Sequence, residues 1–97
     1  MVYVLMNLKV QDFPLWKTSF DEELLSRHDA GEADCHVYRD LADPSDVTVL
    51  LEWETADRAR HFLDSEESSR ILRKGAAGPV QMRYMAEAMS LRRTAAD

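Results

Sequence analysis

The sequence predicts an α+β fold with the element order β-α-β-β-α-β, in which an antiparallel four-stranded sheet carries helices on one face. Three observations predict it. Four segments alternate apolar and other residues with a period of two. The two stretches that separate the first strand from the second and the third from the fourth show helical spacing behind N-cap residues, and turn-forming Gly, Pro and Asp stand where connections are needed.

The first strand runs from Val2 to Val10. Val2, Val4, Met6, Leu8 and Val10 share one face, and Tyr3, Leu5, Asn7 and Lys9 share the other. Asp12 is placed to cap a helix with Pro14 in its first turn, where a missing N–H costs nothing. Trp16, Phe20 and Leu24 draw one apolar stripe down that helix, which is expected to end before Gly31. Ala33 to Asp40 alternates again, with Cys35 and Val37 opposite His36 and Tyr38, and the turn-rich LADPSD follows. In the third strand Val47, Val49, Leu51 and Trp53 oppose Thr48, Leu50, Glu52 and Glu54. Thr55 then caps ADRARHFLDS, with EESSRILRKG as a second helical piece and a break near Asp64 and Ser65. Gly75 and Gly78-Pro79 stop the helix. A last strand from Val80 to about Glu87 sets Val80, Met82 and Tyr84 against Gln81, Arg83 and Met85.

A chain of 97 residues supports one domain, expected over residues 1–87, with 88–97 as a flexible C-terminal tail. The net charge of −6 disfavours nucleic acid, whose binding draws on Lys and Arg against phosphates. A single cysteine, Cys35, excludes an intrachain disulfide. No apolar run reaches the roughly 18–20 residues of a membrane span, and the cytoplasm is the expected location.

Two helices cover one side of a four-stranded sheet, yet the strands carry apolar residues on both faces. Leu5, Tyr38, Leu50 and Met85 would together leave an exposed apolar patch larger than monomers usually carry. Pairing two copies sheet to sheet removes it from water, so a two-fold homodimer is expected.

In this frame "LKVQDFPLWKTSFDE" after the first strand, "VYRDLADPSDVTVLLEWET" across the hairpin and "ARHFLDSEESSRILRKGAAGPV" before the last strand carry a family resemblance. From Val2 to Glu87 the chain resembles the ferredoxin-like dimeric α+β barrel proteins, specifically the antibiotic-biosynthesis-monooxygenase-like group and its uncharacterised relatives. These stretches are signatures of fold more than of catalysis. The resemblance implies a homodimer and a small aromatic or polyketide-like ligand. The group includes oxygenases that work without a cofactor and enzymes that degrade haem. The haem-degrading pattern sets an asparagine in the first strand, a tryptophan in the helix after the third, and a histidine three turns later. Asn7 matches the first, but Phe62 stands where the tryptophan would be and Leu72 near the histidine position.

Asn7, His36, Tyr38, Glu52 and Arg83 share the mixed face if the uniformly apolar sides of the strands meet the helices. There Asn7 and Arg83 would donate to a developing oxyanion, His36 or Tyr38 would move a proton, and Glu52 would contact the substrate. The competing structural reading pairs Glu52 with Arg83 inside the dimer, counts Tyr38 as apolar area and leaves His36 at the sheet edge. In a third arrangement the mixed face meets the helices, and Trp16, Phe20 and Phe62 line a substrate pocket with Asn7. Periodicity does not choose among these. Cys35 and His36 are adjacent in a strand and point to opposite faces, and neither His28 nor His61 has a companion at ligand spacing, so no metal is expected. The sequence has no G-x-G-x-x-G and no P-loop, and the resemblance to oxygenases that work without a cofactor implies none here. The expectation is a small-molecule-binding homodimer acting as a cofactor-independent monooxygenase or related tailoring enzyme, with a non-catalytic ligand-binding or structural homodimer as the alternative.

Overall fold

A computed structural model describes residues 1–91. Its elements are β1 (Val2–Lys9), α1 (Phe13–Glu22), α2 (Leu24–Ala30), β2 (Glu32–Arg39), β3 (Asp46–Trp53), α3 (Ala56–Leu63), α4 (Glu66–Arg73) and β4 (Gln81–Ala86). The four strands form one sheet in the order β2-β3-β1-β4, with every neighbouring pair antiparallel. This is the ferredoxin-like arrangement, with each helix of the simple pattern split in two. Of the tail expected from residue 88, residues 88–91 carry no regular secondary structure and 92–97 lie outside the described residues.

The uniformly apolar faces do turn towards the helices. Val4, Met6 and Leu8 of β1 and Val47, Val49, Leu51 and Trp53 of β3 are sealed against Trp16, Phe20, Ala59, Leu63 and Leu72. These two strands lie at the centre of the sheet, where coverage by helices is most complete. Strand alternation therefore sends Tyr3, Leu5, Asn7, Thr48, Leu50 and Glu52 to the uncovered side, where they stay half-buried.

All three predicted helix starts or restarts form as side-chain caps. Asp12 accepts from Leu15 N at 3.0 Å, Thr55 from Arg58 N at 3.1 Å, and Ser65 from Ser68 N at 3.2 Å. Ser65 restarts the chain as α4 directly after α3 is capped at Asp64, which explains the break between them. The first helical stretch departs from its expected stripe. It breaks at Glu23, and Leu24 is 50% exposed while Arg27 is buried in the place the stripe reserved for an apolar residue. Arg27 is accommodated there because its Nε donates to Glu32 and its Nη1 to the Phe20 carbonyl at 2.7 Å each, and the Phe20 ring lies 3.9 Å under its guanidinium, although Nη2 is left without a partner.

Candidate functional site

The strand register sets the uncovered face out in rows. Asp34, Glu52, Tyr3 and Met85 form one; His36, Leu50, Leu5 and Arg83 the next; Tyr38, Thr48, Asn7 and Gln81 the third. Asn7, His36, Tyr38, Glu52 and Arg83 thus share one face. They do not converge on one point. His36 and Arg83 sit on the two edge strands, three strand spacings or about 14 Å apart, with Leu50 and Leu5 between them.

Local partners occupy most of these groups. Asn7 Nδ2 donates to Asp46 Oδ1 at 2.7 Å, and lies 3.2 Å from both the Val47 carbonyl and Thr48 Oγ1. Its partners are the β3 end of the hairpin, and not the Arg83 and Glu52 that a buried pocket would have supplied. His36 Nε2 lies 3.1 Å from Asp34 Oδ2, and its ring stacks on Tyr38 at 6.1 Å. The Cys35 N–H first, then His36, holds the Asp34 carboxyl below its usual range. Among the described residues no ion pair joins Glu52 to Arg83. Leu5, Asn7, Thr48, Gln81, Met82 and Arg83 line an open cavity of about 450 Å³ at the β4 end of this face.

Trp16, Phe20 and Phe62 lie on the other side of the sheet from Asn7, so the pocket they were expected to form with it does not exist. Trp16 and Phe20 are stacked core rings 5.0 Å apart, and Trp16 Nε1 is tied to the Leu72 carbonyl at 3.2 Å. Phe62 packs on Trp53 at 5.8 Å. Strand period two makes this separation unavoidable once β1 turns Met6 and Leu8 inwards.

A second recess, of about 400 Å³, opens on the helix side, beneath the corner between α3 and α4. Leu63, Leu72, Val80 and Met82 give it apolar walls; Asp64, Ser69, Arg73 and Tyr84 supply polar groups. It exists because β4 is an edge strand and the chain turns at Asp64 and Ser65, so the helices do not close over Met82 and Tyr84. Its volume falls within the range of small-molecule sites. Tyr84 donates its hydroxyl proton to Met82 Sδ at 3.5 Å, and the Arg60 guanidinium lies 4.8 Å from its ring centre. Burial, and then the Asp64 charge, raises the Tyr84 phenol above its ordinary value. The sequence did hold a signal for this site, an aromatic residue with a polar tip on the helix-facing side of an edge strand, but no spacing rule singles it out.

The cysteine is a poor nucleophile. Burial, and then the Glu32 charge, pushes the Cys35 thiol up to about 11. Among the described residues no three His, Cys, Asp or Glu side chains are grouped to hold a metal, and no helix is long and apolar enough to cross a membrane. Leu72, at the position that would furnish the haem ligand, is buried core.

No family model matches the chain, and no curated protein does. Solved structures do match. SnoaB, a cofactor-independent oxygenase from Streptomyces nogalater, superposes with a TM-score of 0.78 at 13% identity, over 95% of this chain and 97% of that one. The ActVA-Orf6 monooxygenase of Streptomyces coelicolor, solved with the ligand Nanaomycin D, superposes with a TM-score of 0.70 at 13% identity, over 96% and 92%. At that identity the likeness is one of fold, and it spans both chains almost end to end. The chain has the ferredoxin-like fold of the antibiotic-biosynthesis-monooxygenase-like proteins.

Proposed function

We propose that this protein is a cofactor-independent oxygenase that acts on a small aromatic molecule held in the recess beneath the α3–α4 corner, as a homodimer paired through its uncovered sheet face. The observation that carries the reading is the recess itself, an apolar slot with a carboxylate and a phenol at its lining, in a fold shared with SnoaB. Half-buried Leu5, Leu50 and Met85 on the uncovered face support the pairing, since a second copy would remove them from water.

The chemistry asks little of the protein. A ring CH₂ activated by an adjacent aromatic system and a conjugated carbonyl gives up one proton, for which Asp64 at the recess is the available base. The resulting carbanion is electron-rich enough to reduce dioxygen directly. A C–O bond forms, the peroxide takes up a proton, the second C–H proton leaves, and the O–O bond breaks. The CH₂ becomes a carbonyl, dioxygen supplies that oxygen, and its second atom departs as water. Leu63, Leu72, Val80 and Met82 give the apolar walls against which the ring system packs.

Anthrone tests this, because its oxidation to anthraquinone consumes one dioxygen per molecule and is read with an oxygen electrode against the uncatalysed background. The wild-type protein should accelerate uptake, Ser69→Trp should block it by filling the recess, and Asp64→Asn should slow it at least tenfold. Thermal stabilisation by anthrone without any oxygen uptake above background would instead favour a binding protein without catalysis. Sedimentation should give a dimer for the wild type and a monomer for Leu50→Asp.

A further inference from the structure

The Tyr84 side chain is part-buried, and within the fold its hydroxyl has one partner, the thioether of Met82 at 3.5 Å, a sulfur that accepts weakly. The Arg60 guanidinium lies over one face of the ring, and Tyr84 is part of the recess lining. A phenol so placed can exchange the sulfur for a stronger acceptor on a ligand in the recess.

We infer that Tyr84 is the specificity-determining donor of the recess, selecting flat apolar ligands that carry a carbonyl or enolate oxygen over the bare hydrocarbon. This rests on the recess being the ligand site. The walls accept any planar ring system by dispersion and burial, so they discriminate poorly. A hydrogen bond to the ligand oxygen replaces a contact to sulfur that costs little to give up, so the selectivity is built from one exchange. The same bond would strengthen as negative charge grows on that oxygen during proton abstraction, drawing binding and chemistry onto one side chain. A phenol is protonated, and hence a donor, at neutral pH, and burial and the nearby Asp64 charge move it further in that direction.

Fluorenone and fluorene separate the possibilities, because they share size and planarity and differ by one carbonyl. Neither reacts with dioxygen under binding conditions. Equilibrium dialysis should show Tyr84→Phe losing about three- to tenfold in fluorenone affinity, the worth of one neutral hydrogen bond, with fluorene affinity unchanged. Infrared difference spectra should place the carbonyl stretch of bound fluorenone at lower frequency in the wild type than in Tyr84→Phe. Ser69→Trp should abolish binding of both compounds. Equal fluorenone affinity in wild type and Tyr84→Phe would overturn the role of Tyr84 while leaving the recess as the site. Failure of the wild type to bind either compound, or binding that Ser69→Trp does not affect, would overturn the site and the donor together.

Discussion

Arg27 Nε donates to Glu32 Oε2 at 2.7 Å, and both side chains are sealed from solvent where α2 turns into β2. The pair replaces the apolar contact that a helical stripe through Leu24 would have made. Burial raises the Glu32 carboxyl, and the Arg27 charge only partly opposes that. An ion pair under such conditions is costly to break and of little net value when intact. Arg27→Ala should therefore destabilise by about 3–5 kcal/mol, whereas Arg27→Met combined with Glu32→Leu should come close to wild type in urea unfolding. A double variant as unstable as the single one would mean that the pair contributes more than its desolvation costs.

Asn7 offers a second contrast, between a role in the hairpin and a role in chemistry. Its amide fastens β1 to Asp46 at 2.7 Å, next to the Lys9 to Asp43 ion pair at 2.8 Å. Asn7→Ala should cost about 1–2 kcal/mol of stability, as expected for a half-buried bond to a charged acceptor. Oxygen uptake with anthrone should be unchanged, since the recess lies across the sheet. Loss of turnover with stability intact would return the chemistry to the uncovered face.

The layout of strands was legible because period two is imposed by the backbone itself. Val4, Met6 and Leu8 declared their face, and Asp12 and Thr55 declared the helix starts. The break at Glu23 was not legible, because an arginine on an apolar stripe reads as a surface residue until its partners are known. Asn7, His36, Tyr38, Glu52 and Arg83 were correctly grouped by face, but strand order, which separates His36 from Arg83, is a tertiary property with no local signal. The recess was hidden for a related reason. It arises from where two short helices fail to cover an edge strand, and neither Asp64 nor Tyr84 shows this alone.

The hairpin clamp has a pH signature. The Lys9 ammonium first, and then Ser45, lowers the Asp43 carboxyl from 3.8 to about 2. A carboxyl lowered on folding binds its proton more readily in the unfolded chain, so its contribution is complete above pH 3.8 and is lost as pH falls towards 2. Melting temperatures of wild type and Asp43→Asn should differ by a constant amount at pH 5–7, and the gap should narrow steadily below pH 4. A gap that persists unchanged at pH 2.5 would show that the Lys9 contact is not what Asp43 contributes.

Gly75 governs the segment that carries Pro79 and Val80 to the recess. Its φ of +81° is one that side chains rarely adopt, and an added Cβ would stand 2.9 Å from Trp16 N and 3.0 Å from the Asp12 carbonyl oxygen. Both obstacles are backbone at the start of α1, so neither can swing aside. The Gly75 carbonyl meanwhile accepts from Gln11 N at 2.8 Å and Asp12 N at 3.3 Å, which locks the two segments together. Gly75→Ala should destabilise by about 2–4 kcal/mol, combining the left-handed backbone cost with the clash. Gly78→Ala is the matched control, because a Cβ there meets nothing within 4 Å. Urea midpoints should fall sharply for the first and little for the second. Fluorenone affinity should follow the same order, since β4 and its lead-in form one wall of the recess; equal affinity in both variants would mean that Pro79 and Val80 play no part in holding the ligand.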